Sequence, residues 1–145
     1  METNATQFTQ DELLTFTRAM ANVAAADGRV TDEERYELEN LIRGIGLSPT
    51  DERVLAIVNA EFEKPSSLTD IVKGLSTREM KAALLRMLVE VSCADGEVAS
   101  EERSKVLEAA RDFGYDPQVA EDLIDWTLES IRLEKKEAEL MAKLM

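Results

Sequence analysis

The chain has 145 residues, 44% of them hydrophobic and 32% charged, a balance that fits one globular domain with a sizeable core and excludes a disordered acidic tail. Its 30 acidic side chains against 17 basic ones give a net charge of −13, the opposite of a nucleic-acid-binding footprint. The complete lack of histidine removes Ser-His and Cys-His nucleophile pairs and every Cys/His zinc site.

Turn signals divide the sequence into helices, and no segment shows the alternation of a strand. Thr9 and Glu12 frame a capping-box start to a first helix carrying Leu13, Phe16, Met20 and Val23, which ends at Asp27-Gly28. Thr31 and Glu34 open a second, with Leu38, Leu41, Ile42 and Ile45 on one face and Gly46 as its stop. Ser48-Pro49 reads as a cap followed by a first-turn proline for a third helix, whose stripe is Val54, Leu55, Val58 and Phe62. A short helix around Leu68, Ile71 and Val72 follows. The fifth starts at Ser76–Glu79 and is apolar almost all round through Met80, Ala83, Leu84, Leu85, Met87, Leu88, Val89 and Val91, which predicts a central position. A sixth runs from about Ala99 to Phe113. Asp116-Pro117 caps a long seventh through Val119, Leu123, Ile124, Leu128 and Ile131, with a helix-forming tail that frays or docks separately. The class is all-α: a compact bundle of about seven helices in one domain over residues 1–145.

A duplication organises this bundle. Residues 26–49 and 94–117 align without a gap at an offset of 68, and ten of 24 positions are identical, far above the roughly one or two of unrelated segments. The identities include Ala26/Ala94, Asp27/Asp95, Gly28/Gly96, Val30/Val98, Glu33/Glu101, Glu34/Glu102 and Arg35/Arg103. Two pseudo-symmetric units, roughly 9–64 and 77–133, are expected to share one core about a pseudo-twofold axis, with 134–145 as a C-terminal helical tail.

Asp-Gly-x-Val-x-x-x-Glu matches the second half of an EF-hand loop, but the earlier ligand positions hold Val23 and Ala25 in one unit and Val91 and Cys93 in the other. Neither loop binds calcium alone. Two readings of the repeated acids stay open. In one, Asp27 and Asp95 accept N–H groups of their own turns, and Glu34 completes a capping box with Thr31. In the other, Asp27, Glu34, Asp95 and Glu102 converge as an all-oxygen site for calcium, magnesium or manganese, with Glu33 and Glu101 as secondary candidates. Two details favour metal. Both Asp residues sit at the negative pole of a helix, and Ala99 replaces the capping Thr31 while Glu102 is kept. A cap shifted to Ser100 would weaken the second point, and Arg35 and Arg103 are the rival means of neutralising the cluster.

The doubled A-D-G-x-V-x-x-E-E motif on an all-helical chain of this size resembles the TerB-like family of tellurite-resistance proteins, and a related domain occurs in DjlA-type co-chaperones. The likeness spans roughly Thr9 to Ile131. It implies a seven-helix fold with an acidic, metal-binding face, and a bacterial stress-response setting alongside TerC-like membrane proteins and TerD-like partners. A J-domain needs a His-Pro-Asp motif, which a chain without histidine cannot supply.

The functional expectation is a non-enzymatic binding or scaffold protein of tellurite resistance or chemical stress, with no catalytic residue and no organic cofactor. A metal-free acidic scaffold that docks a basic partner is the alternative, and a metal-dependent hydrolase the least favoured reading, since base and phosphate-loop motifs are missing. The partners expected are proteins, with neither nucleic acid nor direct membrane insertion. One cysteine, an N-terminus (METNATQFTQ) unlike a secretion signal, and no apolar run near ~20 residues suggest the cytoplasm, with inner-membrane contact only through partners. Cys93 reads as a core thiol, Trp126 as a cover at the core edge, and Met141, Leu144 and Met145 as either a contact strip or a frayed end.

Overall fold

A computed structural model describes residues 8–145; the reading of the first seven residues as no secretion signal lies outside them. The described chain is helical in seven segments: α1 Gln10–Ala24, α2 Asp32–Gly44, α3 Glu52–Glu63, α4 Leu68–Val72, α5 Arg78–Ser92, α6 Ser100–Asp112 and α7 Pro117–Leu144. The bounds of α5 and α6 are those of α1 and α2 shifted by 68, the offset of the sequence repeat. No described residue forms a strand, and no helix is long and apolar enough to cross a membrane.

Local chemistry sets the helix starts. Thr9 with Glu12 and Thr31 with Glu34 form complete capping boxes, each hydroxyl accepting the N3 amide and each Glu accepting the N-cap amide. Two starts differ from expectation. Helix α3 begins at Glu52 under an Asp51 cap, because Asp51 Oδ1 takes the Arg53 amide at 2.8 Å; Ser48 bonds Thr50 instead, so Pro49 stands in the turn before the helix. Helix α5 is capped by Thr77 rather than Ser76, through the Met80 amide. The Asp116-Pro117 start is as expected, with Pro117 in the first turn. Gly28 and Gly96, in the Asp-Gly turns, have φ of +80° and +86°, the left-handed conformation that side chains disfavour.

Helices α1 and α5 form the centre. Helix α1 packs mainly on α3, α5 and α4, and α5 on α1, α7, α6 and α2. Phe16, Met20 and Val23 of α1 and Leu84, Leu88 and Val91 of α5 are fully buried, with Leu38 and Ile42 from α2, Val106 and Ala110 from α6, and Ile124 from α7. The expectation of a central α5 therefore holds. At ~25 cal/mol per Å2 of apolar area removed from water, this shared core supplies the main driving force for folding.

Three residues expected in the core or at its edge lie off it. Leu55 and Val119, placed in the expected core stripes, are exposed, because each helix meets the bundle along a narrower face. Trp126, expected to cover the core edge, is 59% exposed and stands under the Arg86 guanidinium, 5.9 Å from the ring centroid. Cys93 is a core thiol as expected: it is fully buried, and desolvation pushes its pKa up to about 11.

A buried polar knot ties α1 to the start of α4. Glu61 on α3 is 2% exposed; its Oε1 accepts Asn22 Nδ2 and the Ser66 amide, both at 3.0 Å, and its Oε2 accepts Ser66 Oγ at 2.7 Å. Asn22 Nδ2 also donates to the Ser66 carbonyl at 2.7 Å. A buried polar group is tolerated when it is hydrogen-bonded, and here three donors satisfy the carboxyl group.

Candidate functional site

Each Asp-Gly turn is closed by its own aspartate. Asp27 Oδ1 accepts the Arg29 amide at 3.0 Å, and Asp95 Oδ1 accepts the Glu97 amide at 3.1 Å, so one oxygen of each half-buried carboxylate is used locally. An ammonium also lies at the second turn: a Cβ added to Gly96 would meet Lys135 Nζ at 3.2 Å.

The two glutamates behave differently. Glu34 is 2% exposed and Glu102 3%, which is rare for a carboxyl group. Each sits at the third position of its helix and folds back onto its own N-cap. Glu34 Oε1 accepts the Thr31 amide at 3.0 Å, and the Glu102 carboxyl accepts the Ala99 amide. Helix α6 starts at Ser100 behind Ala99, which offers no side-chain cap, so Glu102 keeps the position of Glu34 without the hydroxyl that would complete a capping box. The remaining oxygens, Glu34 Oε2 and Glu102 Oε2, are buried with no donor from outside the pair.

These two carboxyl groups meet. The Glu102 pKa is pushed up to about 10, first by burial, then by a hydrogen bond with Glu34 and the charges of Glu34 and Asp27. A hydrogen bond between two carboxyl groups requires a proton, so near neutral pH the pair holds one in common. The arginines do not take its place. Arg35 stacks over the Phe62 ring, 5.2 Å from its centroid, and Arg103 pairs with Glu121 on α7.

Of the six sequence candidates, the structure thus joins Glu34 and Glu102 and sets Asp27 near enough to act on Glu102 through its charge. Asp95 acts on the Cys93 thiol. Glu33 and Glu101 are exposed first-turn acids. Among the described residues no three Asp, Glu or Cys side chains are grouped to close around a metal ion.

A second surface feature was not singled out from sequence. A groove of about 360 Å3 runs between α2, the end of α5 and α7, lined by Glu37, Glu90, Glu134, Ala94, Trp126 and Ile131. Burial, then Glu90 and Glu134, raise the Glu37 pKa, so the carboxyl groups crowd one another. The sequence signal was the spacing of Glu90 and Trp126 on separate helices, legible only once α5 and α7 are known to pack.

Comparison with known families decides the assignment. The family model described as "Tellurite resistance protein TerB" matches residues 14–125, most of the chain. The chain belongs to the TerB family. No curated protein and no solved structure gave a significant match. The TerB match covers α1 from Leu14 onward, α2 through α6 and the first part of α7, including both Asp-Gly turns and both buried glutamates. Trp126 and the remainder of α7 lie beyond the last matched residue.

Proposed function

We propose that this TerB-family chain is a non-enzymatic binding domain of a bacterial tellurite-resistance or chemical-stress response, and that the Glu34–Glu102 pair takes up a divalent cation in exchange for its shared proton. The observation that carries the reading is the meeting of two buried carboxyl groups, contributed by the same position of both repeats, whose Oε2 atoms have no donor other than the proton the pair itself holds. Unsatisfied buried acceptors are costly, and a cation satisfies both at once. An oxygen-only donor set without histidine or thiolate suits a hard ion. Two carboxylates are few for calcium, which takes six to eight oxygens, whereas magnesium or manganese keeps part of its water shell and needs only one or two. Asp27, with one oxygen free of its turn, is the nearest further acid. The cation would supply positive charge that fixes the two units together beneath an acidic surface presented to protein partners.

Calorimetric titration with magnesium, manganese and calcium tests this, run in two buffers of different ionisation enthalpy. The reading requires a site lost in Glu34→Gln plus Glu102→Gln, weakened in Asp27→Asn, and releasing about one proton per ion. Heats that are the same in the paired Gln variant overturn it.

The groove favours a second reading, a metal-free scaffold whose carboxylates dock a basic segment. Glu37 and Glu134 have no ion-pair partner among the described residues, and the exposed indole of Trp126 offers a surface for the stem of a Lys or Arg side chain. Partner capture unaffected by chelator but weakened by salt selects it over the first.

A further inference from the structure

Past Ile131, helix α7 leaves the core. Every residue from 132 to 145 is exposed, yet the helix runs without interruption to Leu144. Its apolar residues are ordered. Val119, Trp126, Leu133 and Leu140 recur every seven positions, and Leu144 follows one turn after Leu140; all are between 43% and 80% exposed. At 100° per residue this stripe lies nearly opposite Ala120 and Ile124, the buried face of the same helix. Lys135, by contrast, is turned to the body, against Gly96. The free part of α7 therefore carries an apolar seam aimed away from the bundle. A helix of about 13 residues with no tertiary support is marginal in water, so the seam calls for a covering surface.

The charge distribution says which surface. Residues 132–145 hold four basic and three acidic side chains, leaving 13 basic and 27 acidic for the other 131 residues. The extension is thus near neutral, on a body of −14. A basic partner is drawn to the body and its groove rather than to this segment. A second copy of the chain, in contrast, can meet it tail to tail without bringing two acidic bodies together. In a parallel, in-register pair, Glu137 would face its own copy in the seam. Antiparallel pairing that crosses near residues 136–137 sets Glu137 beside Lys136 of the second copy and Leu133 opposite Leu140. The two bodies then lie on outer faces, with their nearest core-packed residues, Ile131 of each copy, roughly 16 Å apart along the axis at 1.5 Å per residue. That exceeds the ~8 Å Debye length at physiological salt, so body repulsion is screened.

We propose that residues 132–144 of α7 form a self-association surface, pairing antiparallel with the same segment of a second copy through Leu133 and Leu140. The test is sedimentation of the full chain from micromolar to millimolar concentration. A reversible dimer is expected, converted to monomer by Leu133→Glu plus Leu140→Glu with the melting of the body unchanged, and weakened a few-fold by Glu137→Gln, which removes its pairing with Lys136 of the second copy. Orientation is read from disulfide trapping, since native Cys93 is buried and silent. Glu137→Cys at the crossing is expected to link two copies, and Leu144→Cys to give little homodimer. A monomer at every concentration, or a dimer indifferent to the Leu133 and Leu140 changes, overturns the surface; equal trapping at both positions overturns the antiparallel pairing. None of these outcomes depends on metal uptake by Glu34 and Glu102.

Discussion

Replacing Glu102 by Gln tests the buried pair directly, and the expected outcome runs against intuition for a buried charge change. The folded-state pKa of Glu102 is raised, to about 10, whereas in the unfolded chain a glutamate titrates near ~4.3. Between those values the native protein holds one more proton than the unfolded chain. By linkage its stability is then fully present below the unfolded pKa and falls as pH rises toward the folded one, by about 1.4 kcal/mol per pH unit. From pH 5 to pH 8 the loss amounts to roughly 4 kcal/mol, a large part of the ~5–15 kcal/mol of a typical domain. Glutamine copies the protonated state: its amide NH2 can donate to Glu34 Oε2, and its carbonyl can accept the Ala99 amide. Glu102→Gln should therefore match the wild type near pH 5 and exceed it by several kcal/mol at pH 8, with a flatter profile. Glu37, also raised, contributes the same sign to both proteins and cancels in the difference. Urea unfolding with chelator present, at half-unit steps between pH 5 and pH 8, measures it. Parallel profiles for the two proteins would refute the shared proton.

The polar knot gives an opposite result. Glu61→Ala strands the Ser66 amide and Ser66 Oγ and leaves Asn22 Nδ2 only the Ser66 carbonyl, and should cost roughly 3 kcal/mol in urea unfolding, with Glu61→Gln costing less. Two glycines should respond with opposite signs. At Gly44, helical and with open space at its Cβ position, alanine should raise stability by about 0.5–1 kcal/mol. At Gly28, equally open but held at φ +80°, alanine should lower it by about 1–2 kcal/mol, and thermal melts of the two variants separate the cases. Cys93 should resist a thiol reagent at pH 8, because its thiol is buried and its pKa is raised, and should react only at the rate of unfolding.

The helices were legible because their signals are local. Thr9, Glu12, Thr31 and Glu34 form their caps within four residues of sequence, and each Asp-Gly turn needs only its own glycine and amide. Where two local signals competed, the expected start was the wrong one: Asp51 outranks Ser48 because its carboxylate reaches the Arg53 amide, and Thr77 outranks Ser76. Of the candidate site, the repeat marked Glu34 and Glu102 as a matched pair. That they are buried against each other is a tertiary fact. So is the bond between Asn22 and Glu61, 39 residues apart; a Glu three positions after Val58 on an apolar face, and an Asn among the buried residues of α1, were the traces it left. Trp126 went the other way, since neighbouring acids on one helix do not reveal how far that helix overhangs its support.

The position of that lone tryptophan gives the molecule a built-in optical gauge. Its indole borders the groove beside Glu90 and Ile131, under Arg86. Emission from the unlabelled protein should therefore shift to shorter wavelength when a basic segment fills the groove, at a protein concentration low enough to keep the tails apart. One intrinsic fluorophore can thus report partner capture without a label.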